Sequence, residues 1–227
     1  MNEPTAPEKP APDHSHLNQP NLPMAGNVLL AFPTPIFIRH WPESEPLNRD
    51  LRALVLEREK ADAGVNKSNF GGWHSDEDLF EWGGPAIDAL RERITQATQE
   101  ITSKACGTAI EGLKAELSIT GWANVSRDRA YNGLHNHPDC TWSGVYYVTL
   151  GERDMSDPRN GIIEFLDPRM GVNWAQLPGQ PFGMQLQINP EAGTMLMFPS
   201  WMMHWVHPFK GTGERISLAF NVRLKFR

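Results

Sequence analysis

The sequence predicts a mainly β domain, a β-sandwich or jelly roll with helices packed on one outer face. Three observations lead there. Two amphipathic helical stretches come early, a segment of period two follows, and a dense series of short apolar runs cut by turn residues fills the rest. With 227 residues, 40% of them hydrophobic, the chain can bury one sizeable core or two small ones.

Residues 1–25 form a Pro-rich N-terminal tail, and 26–227 form the folded domain. Up to Pro23 the tail is dominated by Pro, Asn, Glu and Ala. So little apolar surface cannot offset the entropy of ordering, which predicts disorder. His14 and His16 lie in this tail and are expected to be solvated. Order begins near Val28, where Val28–Phe32 and Ile36–Ile38, broken by Pro33 and Pro35, suit short strands at a sheet edge. Ser44 and Pro46 start a helix. Leu47, Leu51, Leu54 and Val55 then place one apolar stripe on its core face. A Gly- and Asn-rich loop, NKSNFGGWHSDEDLF, separates it from a second helix. That helix begins after Gly84 and Pro85, carries Ile87, Leu90, Ile94, Ala97 and Ile101 on one face, and stops before Gly107.

From Leu113 the period changes to two. Leu113, Ala115, Leu117 and Ile119 alternate with polar residues, as in a half-buried strand. Further strands are expected at Trp142–Leu150, Ile162–Phe165, Met184–Ile188, Thr194–Phe198 and Ile216–Phe226. Asp-Pro and Pro/Gly stretches separate them, including Leu177–Phe182.

The charge balance is mildly acidic, net −6 with no Lys/Arg run. It gives no footprint for nucleic acid or an anionic membrane. Cys106 and Cys140 are too few for a disulfide framework and read as reduced thiols. No apolar run reaches membrane-spanning length and no signal peptide is visible, so the expected compartment is the cytoplasm. A homodimer is compatible with these features.

Chemistry concentrates in Trp122–Val148. His135, His137 and Asp139 follow one another at spacings of two, which puts each pair on one face of an extended segment. Imidazole and carboxylate together suit iron, manganese or zinc. Two histidines and one carboxylate with open positions form the facial triad of non-haem Fe(II) oxygenases. A further ligand must come from far along the chain, and His204 is the natural candidate. Arg215 and Ser217 share a face of the last strand, and a guanidinium fork beside a hydroxyl matches a carboxylate. The mouth of the site is expected to draw on Trp201, Met202, Met203, Trp205 and the loop around Trp73 and His74, as a substrate platform or as a core seal.

Three long stretches, GWANVSRDRAYNGLHNHPDCTWSGVYYV, IIEFLDPR and EAGTMLMFPSWMMHWVHPFKGTGERISLAFNV, together with AFPTPIF and SNFGGWHS, resemble a bacterial and phage group of 2-oxoglutarate- and Fe(II)-dependent oxygenases related to prolyl hydroxylases. The resemblance implies a double-stranded β-helix with iron at its open end. It implies His135, His137 and His204 at the metal, and Arg215 with Ser217 as the clamp for the far carboxylate of 2-oxoglutarate. Tyr147, in preference to its neighbour Tyr146, and the polar residues Asn124 and Asn132 are implied as contacts to the co-substrate or to the ligands. The wider superfamily uses His-x-Asp and a distal histidine, which reads here as His137, Asp139 and His204. His137 and His204 belong to both schemes. The implied activity couples decarboxylation of 2-oxoglutarate to succinate with O2-dependent oxidation, by default hydroxylation, of a small molecule or a protein side chain. Two other readings compete: a cupin-type dioxygenase working without 2-oxoglutarate, and a non-catalytic jelly roll that binds a metal or ligand.

Overall fold

A computed structural model describes residues 24–25, 28–29, 32–169, 171, 183 and 185–227. Backbone contacts divide the chain into two units, Met1–Pro33 and Thr34–Arg227. In the first, β1 (Met24–Ala25) pairs antiparallel with β2 (Val28–Leu29). Met1–Pro23 and the expected turn Leu177–Phe182 lie outside the described residues.

The second unit is two antiparallel sheets with two helices on one outer face. The larger sheet contains β3 (Phe37–His40), β5 (Trp73–His74), β6 (Ala115–Ser126), β8 (Trp142–Arg153), β11 (Thr194–Pro199) and β13 (Gly211–Phe226), in the order β3-β11-β8-β13-β6-β5. The smaller contains β4 (Asn69–Phe70), β7 (Tyr131–His135), β9 (Ile163–Leu166), β10 (Gln185–Ile188) and β12 (His204–Val206), in the order β10-β9-β12-β7-β4. Consecutive strands of the chain repeatedly cross between the sheets, which is the double-stranded β-helix the sequence predicts.

Alternation along the larger sheet produces two cores. Ile216, Leu218, Phe220 and Val222 of β13 point outward with Tyr146, Val148, Met195 and Met197, and pack against the helices. Helix α1 (Glu45–Ala61) contributes Leu51 and Val55, and α2 (Pro85–Cys106) contributes Ile87, Leu90, Ile94, Ala97 and Ile101. Both helices carry proline in the first turn, where a missing N–H costs nothing. On the inner face, Val145, Tyr147, Leu196 and Phe198 meet Ile163, Phe165 and Met202 from the opposite layer. Cys106 and Cys140 are free thiols.

The period-two strand differs from expectation at its start. Leu113 and Leu117 are 47% and 38% exposed, and burial begins only at Gly121. The reason is register. Residues 115–118 pair with residues 223–226, a two-stranded antiparallel ribbon running past the end of the neighbouring strand β8, where Trp142 is matched to Val222. The polar alternation of this stretch is real, but the buried half of the strand is Gly121–Ser126.

Tyr146 ties the helices to the sheet. Its hydroxyl donates to Asn48 Oδ1 at 2.7 Å and accepts from Arg93 at 2.9 Å, and the ring is fully buried. Tyr146→Phe leaves Asn48 with an unsatisfied buried acceptor. It is expected to lower unfolding free energy by about 1–3 kcal/mol in urea denaturation, without changing the slope.

Candidate metal centre and anion pocket

Three imidazoles converge on the inner rim of the smaller sheet. The ligand-capable nitrogens of His135, His137 and His204 all lie within 4.8 Å of one another. Ring centroids are 5.0 Å apart for His135/His137, 4.4 Å for His135/His204 and 5.2 Å for His137/His204. His204 opens β12 directly opposite His135 of β7. His137 follows the end of β7, its backbone N–H donating to Ser200 O at 2.9 Å. Strand alternation alone would not add Asn132 to this set. His204 pairs with His135 and Val206 with Asn132, so two steps along β12 match three along β7. One extra residue is accommodated at Gly133–Leu134. That bulge lets Asn132 and His135 line the same cavity although they are three apart.

Two of the imidazoles are locked from behind. His135 Nδ1 lies 2.7 Å from Gly133 O and His204 Nδ1 lies 2.9 Å from Met202 O. A carbonyl there selects the tautomer with the proton on Nδ1 and leaves Nε2 free as a donor to a metal. Burial lowers the basicity of all three. His204 falls to about 3 and His137 to about 4, each through desolvation first and the neighbouring imidazoles second, and His135 is lowered as well. The cluster is therefore neutral at pH 7, as metal ligation requires.

Asp139 stays outside this cluster. It follows Pro138 in a left-handed turn with φ of 62°, its side chain is exposed, and its carbonyl accepts from Arg223 Nε at 2.9 Å. The chain turns away before the carboxylate can reach the imidazoles. The alternation that joins His135 to His137 ends there.

Across the same cavity the larger sheet presents polar groups on otherwise apolar ground. Arg215, Ser217 and Asn124 line it together with Tyr147 and Asn132. Ser217 pairs with Asn124 on one side and Tyr147 on the other. Of the two tyrosines, Tyr147 faces the cavity, while Tyr146 lies under the helices. Arg215 is 2% exposed and Tyr147 is fully buried, with the guanidinium carbon 5.3 Å from the ring centroid. Burial pushes the Tyr147 phenol up to about 12, against the pull of the Arg215 charge. Burial also lowers Arg215, from so high a start that it remains a cation.

Among the described residues, three buried polar atoms here have no hydrogen-bond partner: Asn124 Oδ1, Tyr147 Oη and Arg215 Nε. Orphaned polar atoms are rare in interiors, and a buried charge without a counterion is costly. All three belong to residues lining one cavity beside the imidazoles. Arg215 Nε and the Tyr147 hydroxyl are donors that an anion in this cavity could satisfy, whereas Asn124 Oδ1 is an acceptor and calls for a donor.

The expected mouth is thinner than the sequence suggests. Trp201 is 49% exposed, but Met202 is packed in the inter-sheet core. Trp205 alternates to the face opposite His204 and stacks on His207, which sits 2.9 Å from the buried carboxylate of Glu164. Ser68 and Trp122 are among the cavity residues that sequence reasoning did not single out for contact with the ligand set. Trp122 carried a signal only in its two-residue step before Asn124.

Residues 120–221 match the family described as "Putative 2OG-Fe(II) oxygenase". No curated protein sequence matches the chain. Among solved structures, a Pseudomonas putida prolyl-4-hydroxylase is similar at 18% identity over 83% of this chain and 91% of that one, with a TM-score of 0.55. A Trichoplax adhaerens prolyl hydroxylase bound to a hypoxia-inducible-factor peptide fragment gives 12% identity, 83% of each chain and 0.55. HygX from Streptomyces hygroscopicus, with nickel and 2-oxoglutarate bound, gives 12% identity, 84% and 83% coverage, and 0.54. At these identities the likeness is one of fold.

Two outcomes follow from the geometry. Asp139→Ala is expected to bind divalent metal within about 3-fold of wild type, whereas His135→Ala loses about 10-fold or more, by calorimetric titration; the reverse order would put the carboxylate in the ligand set. Without metal, the unfolded chain takes up protons near pH 6.5, while folded His137 and His204 do so only near 4 and 3. The unfolded state binds more protons across that window, so stability rises with pH. The metal-free protein should hold full stability above about pH 6.5 and lose it as pH falls toward 4, more steeply than His137→Gln does, as urea midpoints would record.

Proposed function

We propose, for a chain whose residues 120–221 match the 2OG-Fe(II) oxygenase family, that this protein is an Fe(II)- and 2-oxoglutarate-dependent dioxygenase acting as a hydroxylase, with His135, His137 and His204 holding the iron. The observation that carries the proposal is the pairing of that imidazole cluster, in one cavity, with a buried arginine whose Nε has no partner among the described residues.

When bound, iron supplies the oxidising chemistry that couples decarboxylation of 2-oxoglutarate to succinate with oxidation of the substrate. The chain's own residues do the rest. Arg215 seats the far carboxylate of 2-oxoglutarate, with the Ser217 hydroxyl beside it. Tyr147, protonated across the working pH range, offers its hydroxyl to the same anion. Asn124 and Asn132 orient the remaining oxygens. Val145, Phe198 and Val206 complete an apolar wall that keeps water away from the reacting atoms. The low polarity of that wall strengthens each charged contact. Three neutral imidazoles leave the ion's full charge for the co-substrate to neutralise.

A cupin-type dioxygenase working without 2-oxoglutarate has no use for a buried guanidinium aimed at an anion, and a purely structural metal site has no use for the adjoining cavity. The substrate is an organic molecule or a protein side chain that presents a C–H bond at the rim. The similar fold of the Trichoplax protein holds a peptide and that of HygX holds hygromycin B, so both classes fit the architecture. The cytoplasm remains the expected compartment; no described helix is long and apolar enough to cross a membrane.

With Fe(II), ascorbate, O2 and 2-oxoglutarate, the protein is expected to release succinate. No succinate from protein that binds iron would refute the assignment. Arg215→Ala should weaken 2-oxoglutarate binding by about 30-fold or more, because truncating one partner of a desolvated charge pair costs about 2–5 kcal/mol. Iron occupancy, measured by metal analysis, should be unchanged; its loss would remove Arg215 from the co-substrate role.

A further inference from the structure

His137 differs from the other two imidazoles of the cluster. Each of those is held by a carbonyl on Nδ1, but among the described residues no hydrogen bond reaches the His137 ring. A ligand free to rotate about its side-chain bonds would cost ordering entropy at each metal-binding event. Something else must hold it.

The ring contacts identify the holder. Trp122 lies 5.6 Å from the His137 ring at an interplanar angle of 35°, and His137 in turn lies 5.2 Å from His204 at 24°. Trp122 is itself stacked on His74, 5.5 Å away at 12°. Four rings thus form a chain of contacts from the sheet edge to the distal imidazole. Its foundation is firm. Trp122 is 7% exposed and sits in the fully paired part of β6, opposite Ala219. His74 is 3% exposed, pairs with Asn124, and places Nδ1 2.6 Å from Ser75 O. Ser75 is tied to Ala123 twice, through its own N–H and through its hydroxyl. The indole that meets His137 is therefore anchored at both its backbone and its far neighbour.

We infer that Trp122, backed by His74, is the positioning residue for His137, an aromatic buttress that does for this imidazole what a backbone carbonyl does for His135 and His204. The inference rests on the proposed metal role of the three histidines. It requires a ring at position 122, since an aliphatic side chain fills space without fixing the tilt of the imidazole.

The test uses the full-length protein and Co(II), a spectroscopic substitute that reports affinity and ligand geometry without turnover. Wild type should bind Co(II) with a visible ligand-field band; failure to do so would sink the metal assignment itself. Given that binding, Trp122→Leu should weaken Co(II) by about 10-fold and broaden or shift the band. Trp122→Phe, which keeps a ring, should stay within about 3-fold of wild type. The melting temperature of each metal-free variant separates loss of fold from loss of positioning. Should Trp122→Leu lack a cooperative melt, His74→Leu against His74→Phe takes its place, with the aliphatic variant alone expected to weaken Co(II) by about 3-fold. Wild-type affinity and an unshifted band in the folded aliphatic variant would overturn the inference, as would equal losses in the phenylalanine and leucine variants.

Discussion

The register of β13 between β6 and β8 is the constraint on which the molecule depends. β13 matches β6 over twelve consecutive residue pairs, from Arg215↔Ser126 to Phe226↔Ala115. Because side chains alternate, this ladder sends Ile216, Leu218, Phe220 and Val222 under the helices and sends Arg215, Ser217 and Ala219 to the cavity. A slip of one residue would exchange the two sets, burying a guanidinium in the helix-facing core and emptying the anion pocket. The same pairing thus sets the fold and aims the site.

Electrostatics explains why the cavity tolerates so polar a lining. The imidazoles are desolvated until they are neutral, so they impose no charge on the rim. Among the described residues, the only full charge lining the cavity is Arg215, held under Tyr147 with its Nε unmatched. In isolation that arrangement costs stability. A ligand bringing carboxylates would satisfy the guanidinium and the phenol at once. Such a site holds its cost until the ligand arrives, and returns it as affinity.

Much of this was legible in the sequence, and the gaps have physical causes. Both helices were visible because their apolar residues recur at three and four over several turns, and Pro85 and Gly107 mark the ends of the second. The long strands from Trp142 onward were visible through apolar runs cut by turn residues. The strands β4, β5, β7 and β12 are two to five residues long, too short for a periodic signal, and the rim of the site is built on two of them, β7 and β12. Spacing could bring His135 and His137 together, but it could not choose between His135 and Asp139, since both stand two residues from His137. The left-handed turn at Asp139 is decided by tertiary contacts. Trp122 and His74 are far apart in the chain, so their stacking had no local signature.

The irregularity of β7 bears on how such a chain can change over time. Because one surplus residue lies between Asn132 and His135 opposite β12, both side chains aim inward at a spacing of three. Side chains there can be exchanged one for another while the imidazole keeps its aim. Removing a single residue between Asn132 and His135 would leave a spacing of two, which a regular ladder already aims to one face, so His135 would stay opposite His204 with the bulge gone. Descendants of this sequence should therefore accept the loss of that residue as well as replacements in the segment, with the imidazole cluster kept.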